Sequence, residues 1–314
     1  MKISLLIPVY NYDIVALVYS MKNAIDKVTE FHEILIGDDA SSQEFLDKYR
    51  SLEGGGVKII SSEKNIGRAA MRNKLALEAS GDYLLFLDAD LMLTGTAEAF
   101  LQKYIAEIGA AEVICGGIKY AESIPSDPDK LLRWKYGRWR EQLKASERNK
   151  RPYSDFSTFN VLIAKSVFSK IRFYEELKKY GHEDTLLGFQ LKNAGISILH
   201  IDNTLLHEGI ESNREYLDKV KLSLENLSML YDNVTNKNNF CSVLPMLRHY
   251  RILRFVRLSI ILAGIFVRYR EKMEQRLESG NSSNLLFVFY RMSMFCTFRE
   301  IHKRKQFSGN ILII

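Results

Sequence analysis

A chain of 314 residues, 46% hydrophobic and 26% charged, has the balance of a globular protein and the length for one large domain with a smaller appendage, which excludes a disordered chain. The net charge of +6 is unevenly placed: residues 1–240 hold 31 Lys and Arg against 34 Asp and Glu, whereas residues 241–314 hold 13 against 4, so a tail of +9 follows a body of −3. The three cysteines, Cys115, Cys241 and Cys296, are odd in number and lack zinc-ligand or C-x-x-C spacing, which excludes a disulfide framework and leaves them as packing residues.

In chain order, MKISLLIPVY opens with one lysine and an apolar run that stops at Pro8, too short for the core of a signal peptide, and a cytoplasmic location is expected. Buried-strand patterns at 3–9, 33–37, 57–61 and 83–87 alternate with helical ones, up to residue 29, from 43, and over 67–79. Near-continuous apolar strands in a βαβα rhythm predict a mostly parallel sheet covered by helices on both faces. Ligands of such sheets gather at the carboxyl ends of the strands. The residues there are Tyr10 and Asn11, Asp38 and Asp39, Asn65 with Arg68 and Arg72, and Asp88 with Asp90. Beyond them the pattern predicts helices at 96–108, 129–149 and 183–193, and strands at 112–116 and 160–164. The polar, turn-rich YDNVTNKNN separates a catalytic domain, 1–235, from a helical basic region, 240–314.

The chain lacks both a G-x-x-x-x-G-K-[ST] loop and a G-x-G-x-x-G turn after its first strand, so any phosphate it binds must be neutralised otherwise. The run YLLFLDADL supplies one means. Two carboxylates, Asp88 and Asp90, follow a buried strand with only Ala89 between them, and side chains two apart on a strand point the same way, toward one hard cation. A metal there would bridge diphosphate oxygens, which suits a nucleotide-sugar donor better than a hydride cofactor. Glu183 and Asp184 open an amphipathic helix; they either complement its dipole or supply a general base for a sugar hydroxyl. His207, after a strand-like ISILHIDNTLLH, is either a packed histidine or an imidazole ligand of the kind manganese accepts.

PVYN at 8–11, GDDASS at 37–42, NIGRAAMRN at 65–73, FLDADL at 86–91, GHEDTLLGFQLKNAG at 181–195 and the later His207 resemble, in order and spacing, the family 2 glycosyltransferases. The resemblance covers residues 1–210 and implies an α/β GT-A fold and inverting transfer from a nucleotide-activated sugar, aided by Mn²⁺ or Mg²⁺. It implies that Pro8, Tyr10, Asp38 and Asp39 line the nucleoside pocket, with Asn65, Arg68 and Arg72 bracing it or serving the nucleotide. Asp88 and Asp90 then belong to the metal and diphosphate motif, His207 matches a late metal-binding histidine, and Asp184 matches the usual base, with Glu183 beside it. Two departures, Tyr12-Asp13 after the first motif and His182 before the acidic pair, leave donor and acceptor open. A UDP-sugar donor and a hydroxyl of a glycan or lipid-linked glycan in cell-surface polysaccharide assembly are expected. A polyprenyl-phosphate sugar synthase and a non-catalytic nucleotide-binding scaffold are the alternatives.

Trp134, Tyr136 and Trp139 of RWKYGRW are either acceptor platforms or core anchors. The stretch 248–270 combines spaced arginines with a ten-residue apolar run, too short to span a bilayer. As one helix it would lie on the inner face of an anionic membrane, pack on the catalytic domain or form a homodimer contact. Nucleic acid is not expected, because these arginines alternate with long aliphatic residues and the body is acidic.

Overall fold

The computed structural model describes residues 1–177 and 180–307, the last six of them as backbone only. In chain order the elements are β1 (Ile3–Val9), α1 (Val15–Lys22), β2 (Phe31–Asp38), α2 (Gln43–Arg50), β3 (Val57–Ser61), α3 (Arg68–Glu78), β4 (Tyr83–Leu87), β5 (Leu91–Met92), α4 (Ala97–Ile105), β6 (Val113–Cys115) and β7 (Ile118–Lys119). They continue as α5 (Leu131–Arg140), α6 (Ala145–Arg148), β8 (Asn160–Ala164), α7 (Lys165–Phe168), α8 (Glu183–Asn193), β9 (Ile198–His200) and β10 (Leu205–His207). Five helices follow: α9 (Asn213–Asn233), α10 (Lys237–Val243), α11 (Pro245–Phe255), α12 (Leu258–Glu278) and α13 (Asn284–Phe307). The chain divides into an α/β unit, 1–122, 137–177 and 183–209, and a helical unit, 123–136, 180–182 and 210–307.

The α/β unit is built on a seven-stranded sheet of order β3-β2-β1-β4-β8-β6-β9, parallel throughout except for β8, which runs against both neighbours. Ile3, Leu5, Leu6 and Ile7 of β1 are all fully buried, as a parallel strand covered on both faces requires. Helix α3 packs across β1 and β2, with Met71 and Leu75 against Leu6 and Leu35. Gly37 permits this approach: a Cβ there would lie 2.7 Å from Met71 Sδ. A second, three-stranded sheet of order β5-β10-β7 is much smaller.

Polar anchors fix the loops around β6, β8 and β9. Asn160 donates to the carbonyls of Gly117 and Asn203, both at 2.9 Å, and accepts the Tyr104 hydroxyl at 2.6 Å. The Arg148 guanidinium, also buried, donates to the carbonyls of Leu143 (3.1 Å), Cys115 (3.2 Å) and Ile201 (2.7 Å) and to His200 Nδ1 (2.9 Å). Because arginine can only donate, His200 Nδ1 is the acceptor and its Nε2–H donates to Pro152 O at 2.9 Å. Burial, then the charge of Arg148, holds the imidazole down at about 4, so it is neutral at pH 7.

The expected helix over 129–149 is interrupted after Arg140. The Tyr120 ring packs where any side chain on Gly137 would sit, its hydroxyl bonds to the Glu141 carboxylate, and its N–H donates to Gln142 Oε1 at 2.9 Å. Trp134 is buried and Trp139 is exposed, so only the first is a core anchor. All three cysteines are buried, and none forms a disulfide among the described residues.

The helical unit is stitched through Asn213. Its Oδ1 accepts the Leu132 N–H at 2.9 Å, and its Nδ2 donates to the carbonyls of Pro128 (2.9 Å) and Glu278 (2.8 Å), tying 128–132 to α9 and the end of α12. A reciprocal capping box between Ser212 and Glu215 starts α9. The tail stretch is two helices rather than one. Arg257 adopts a left-handed conformation at φ +61° between α11 and α12, a break that no glycine or proline announces. Among the described residues no helix is long and apolar enough to cross a membrane.

Arg148→Leu should strand several buried carbonyls at once. We expect a loss of about 2–4 kcal/mol of stability, read as a lower urea midpoint at an unchanged slope.

Candidate active site

The cleft is built where β1, β2 and β4 end. At the exit of β1, Asn11 takes a positive φ of 47°, which asparagine tolerates, so its N–H reaches Ser41 Oγ (2.9 Å) and its Oδ1 accepts the Ser42 N–H (2.8 Å). The exit loop of β2 is thereby clamped to that of β1. Asp38 accepts the Ser41 N–H at 3.0 Å. Asp39 accepts the N–H groups of Ile66 (2.7 Å) and Gly67 (2.9 Å), one on each oxygen, and its carbonyl accepts Asn65 Nδ2 at 3.3 Å. The loop before α3 is thus held by a carboxylate, and α3 begins at Arg68 with its N-terminus at the cleft.

One turn along α3, Arg72 is only 2% exposed. Its Nη2 meets Asp88 Oδ1 at 2.6 Å, its Nη1 lies 3.6 Å from Glu183 Oε1, and its guanidinium carbon stands 5.3 Å from the centre of the Phe173 ring. Among the described residues Nε and Nη1 have no hydrogen-bond partner, so the ion is compensated by the two carboxylates and the ring face. Beside Glu183, Asp184 accepts the Ser157 hydroxyl at 3.3 Å. Burial first, then the charge of Glu183, pushes the Asp184 carboxyl up to about 7, against the opposing pull of Arg72.

Asp88 and Asp90 leave β4 in a turn and not as strand residues; the strand ends at Leu87, and two residues of β5 follow Asp90. Alternation along a strand therefore does not set their directions. The small sheet sets the surroundings of Asp90: His207 pairs with Leu91 across the β10–β5 ladder, and the Glu208 N–H donates to the Asp90 carbonyl at 3.0 Å. His207 Nε2 consequently lies 3.3 Å from Asp90 Oδ2. Gly209 is needed here, since a Cβ would stand 2.6 Å from that of Asp90. Burial raises the Asp90 carboxyl, but the His207 hydrogen bond and charge and the charge of Arg68 outweigh it and hold the group below its usual range.

An oxygen and an imidazole nitrogen 3.3 Å apart are a donor set of the type manganese takes, and among the described residues His207 Nδ1 is buried without a hydrogen-bond partner. Among the described residues no three His, Cys, Asp or Glu side chains are grouped so as to hold a metal ion by themselves. The fit is to a cation that completes its shell with substrate oxygens and water, as nucleotide-bound Mg²⁺ and Mn²⁺ do.

Eight of the twelve expected site residues, among them Tyr10, Asp39, Arg68, Arg72, Asp88 and Asp90, line one cleft of about 240 Å³. Asp38, Glu183, Asp184 and His207 stand outside its lining, the last three linked to it through Arg72 or Asp90. The lining also takes in Val9, Tyr12, Gly67, Met71 and Ala89, none of them among the expected site residues, and Ser157 stands unexpected beside Asp184. Tyr12 lies in the loop after the first motif and could have been found by position. Ser157 sits in a segment without periodicity and carries no such signal.

The family model described as Glycosyl transferase family 2 matches residues 4–172, more than half of the chain. Solved structures are similar over most of it at low identity. Residues 1–349 of TarS from S. aureus, solved with UDP-GlcNAc, share 18% identity over 100% of this chain and 93% of that one, with a TM-score of 0.52. The mannosyltransferase PcManGT from Pyrobaculum calidifontis, solved with GDP-Man and Mn²⁺, gives 11% identity, 99% and 88% coverage and a TM-score of 0.58. Glucosyl-3-phosphoglycerate synthase from Mycobacterium tuberculosis, solved with Mn²⁺, UDP and glucosyl-3-phosphoglycerate, gives 15% identity, 74% and 79% coverage and a TM-score of 0.50. No curated protein sequence matches. With the motif-bearing strands, the cleft at their carboxyl ends and the family match in agreement, the chain belongs to the family 2 glycosyltransferases and carries their GT-A type of α/β fold.

Proposed function

We propose that this glycosyltransferase moves a sugar from a UDP-sugar to a hydroxyl of a glycan or lipid-linked glycan, with inversion, using Asp184 as the base. The observation that carries the reading is the Asp88–Arg72–Glu183 chain, which joins the donor cleft to a raised carboxyl at Asp184. UDP is favoured as the nucleotide because two of the three similar structures described above were solved with uridine ligands.

In this reading Tyr10, 53% exposed at the cleft, offers its ring to the base, while Pro8 and Asp39 shape the nucleoside pocket with Asn65 and Asp38 holds the adjoining loop through the Ser41 N–H. Arg68 lies along the phosphates. Asp90 and His207, with Asp88 beside them, would hold Mn²⁺ or Mg²⁺, which when bound neutralises the diphosphate. Asp184 accepts the proton of the acceptor hydroxyl as its oxygen bonds to the anomeric carbon and the bond from that carbon to the diphosphate breaks. Glu183, paired with Arg72, keeps a second negative charge beside Asp184 and so keeps it basic. A phosphate acceptor would need no such base, which is why a hydroxyl is preferred here over the polyprenyl-phosphate alternative.

Calorimetry with UDP should show binding that requires Mn²⁺ and is lost in Asp90→Ala; absence of binding with UDP, GDP and dTDP alike would favour a non-catalytic scaffold. Asp184→Asn should leave UDP binding intact and lower sugar transfer by roughly 10²- to 10⁴-fold, whereas near-normal transfer would point to a phosphate acceptor. Since Asp184 must be ionised to accept a proton and its pKa is raised to about 7, kcat/KM should climb as pH rises through neutrality. An acid limb confined to the ordinary carboxylate range would remove Asp184 from that role.

A further inference from the structure

A helix on the surface of a globular unit normally turns a polar face to water. Over its first three turns α12 does not. Ser259, Ala263 and Phe266 are buried within the helical unit, and on the opposite side Ile260, Ile261, Gly264 and Val267 are exposed. The apolar surface continues across the left-handed break at Arg257 onto α11, through Val256, Ile252 and Phe255, the last 88% exposed. A run of aliphatic and aromatic side chains on an elbow between two helices is a larger apolar exposure than scattered surface residues explain.

Charge identifies the occupant. Residues 241–270 contain six arginines and no Asp or Glu, and Arg248, Arg251, Arg254, Arg257, Arg268 and Arg270 are all exposed, although Arg270 reaches Glu274 one turn on at 3.6 Å. A two-fold contact with a second copy would set arginine against arginine with no carboxylate in the segment to pair them. A nucleic-acid backbone would leave Phe255, Ile260 and Ile261 in water. An anionic bilayer satisfies both halves of the surface, with apolar side chains at the acyl boundary and guanidinium groups among the phosphates. No described helix can span the bilayer, so the contact lies in its interface.

We infer that the α11–α12 elbow is a membrane-interface site for anionic lipid, with Phe255, Ile260, Ile261 and Val267 seated below the headgroups and Arg251, Arg254 and Arg268 among them. The inference is independent of the donor and acceptor proposed above, and its test needs no turnover. The full chain is sedimented with vesicles of phosphatidylcholine alone and of equal parts phosphatidylcholine and phosphatidylglycerol. Binding is expected to the anionic vesicles only, with release as salt is raised. Phe255→Ser with Ile261→Ser, both at exposed positions, should lower the partition about tenfold or more at an unchanged thermal midpoint. Arg251→Glu with Arg254→Glu should weaken it comparably, and a tryptophan introduced by Phe255→Trp should shift its emission to the blue on anionic vesicles. Full recovery in the supernatant, equal binding to neutral vesicles, or indifference to the serine pair would overturn the inference. So would a dimer in solution that the serine pair dissociates without any vesicle binding, which would assign the elbow to a second copy.

Discussion

The buried guanidinium of Arg72 is the interaction on which the site depends. Removing such an ion from water costs several kcal/mol unless charges compensate it, and here two carboxylates and an aromatic face do so. Among the described residues two of its nitrogens have no hydrogen-bond partner, so its compensation comes from Asp88, Glu183 and Phe173. That requirement locks four segments together: α3, the turn after β4, the loop that carries Phe173 and the first turn of α8. It also explains how two neighbouring acids at one helix start differ in role. Glu183 faces the cation, while Asp184, buried and set against the charge of its neighbour, is raised above the ordinary carboxylate range.

The sheet makes this convergence inexpensive. Parallel strands put their loops on one edge, so the exits of β1, β2 and β4 share a wall without long insertions. The antiparallel pairing of β10 with β5 then brings in a residue that the main sheet could not deliver, setting His207 beside Asp90. Away from the cleft, the loops flanking β6 and β9 are held by Arg148 and Asn160, whose hydrogen bonds go largely to backbone carbonyls. Those buried polar groups would be costly if unpaired, and their satisfaction fixes one loop arrangement.

The helical unit follows different rules. A single buried asparagine, Asn213, joins three segments, and Arg299 forms a two-pronged pair with Asp232 at 2.5 and 2.6 Å. The outward apolar face of α12 stands apart from this internal consistency. Local rules are broken there without a gain inside the unit, which is where an external surface is to be sought.

From the sequence alone the strands at 3–9, 57–61, 83–87 and 160–164, the parallel α/β character and the set of residues at the strand exits were legible, because burial on both faces forces continuous apolar runs and the turn residues follow them. The break at Arg257 and the end of α5 at Arg140 were not: the first rests on a strained φ at a non-glycine residue, and the second on Tyr120 recruiting Glu141 and Gln142. The geometry of the acidic pair was equally hidden, since Asp88 and Asp90 lie in a turn whose direction is set by the remote β10. Sequence determined which chemical groups are available and at which ends of which strands they lie, since that information is local. Only tertiary structure decided that Arg72 holds Asp88 and Glu183, that His207 meets Asp90 and that Ser157 faces Asp184, because each pairing depends on segments that the chain brings together only when the sheet is complete.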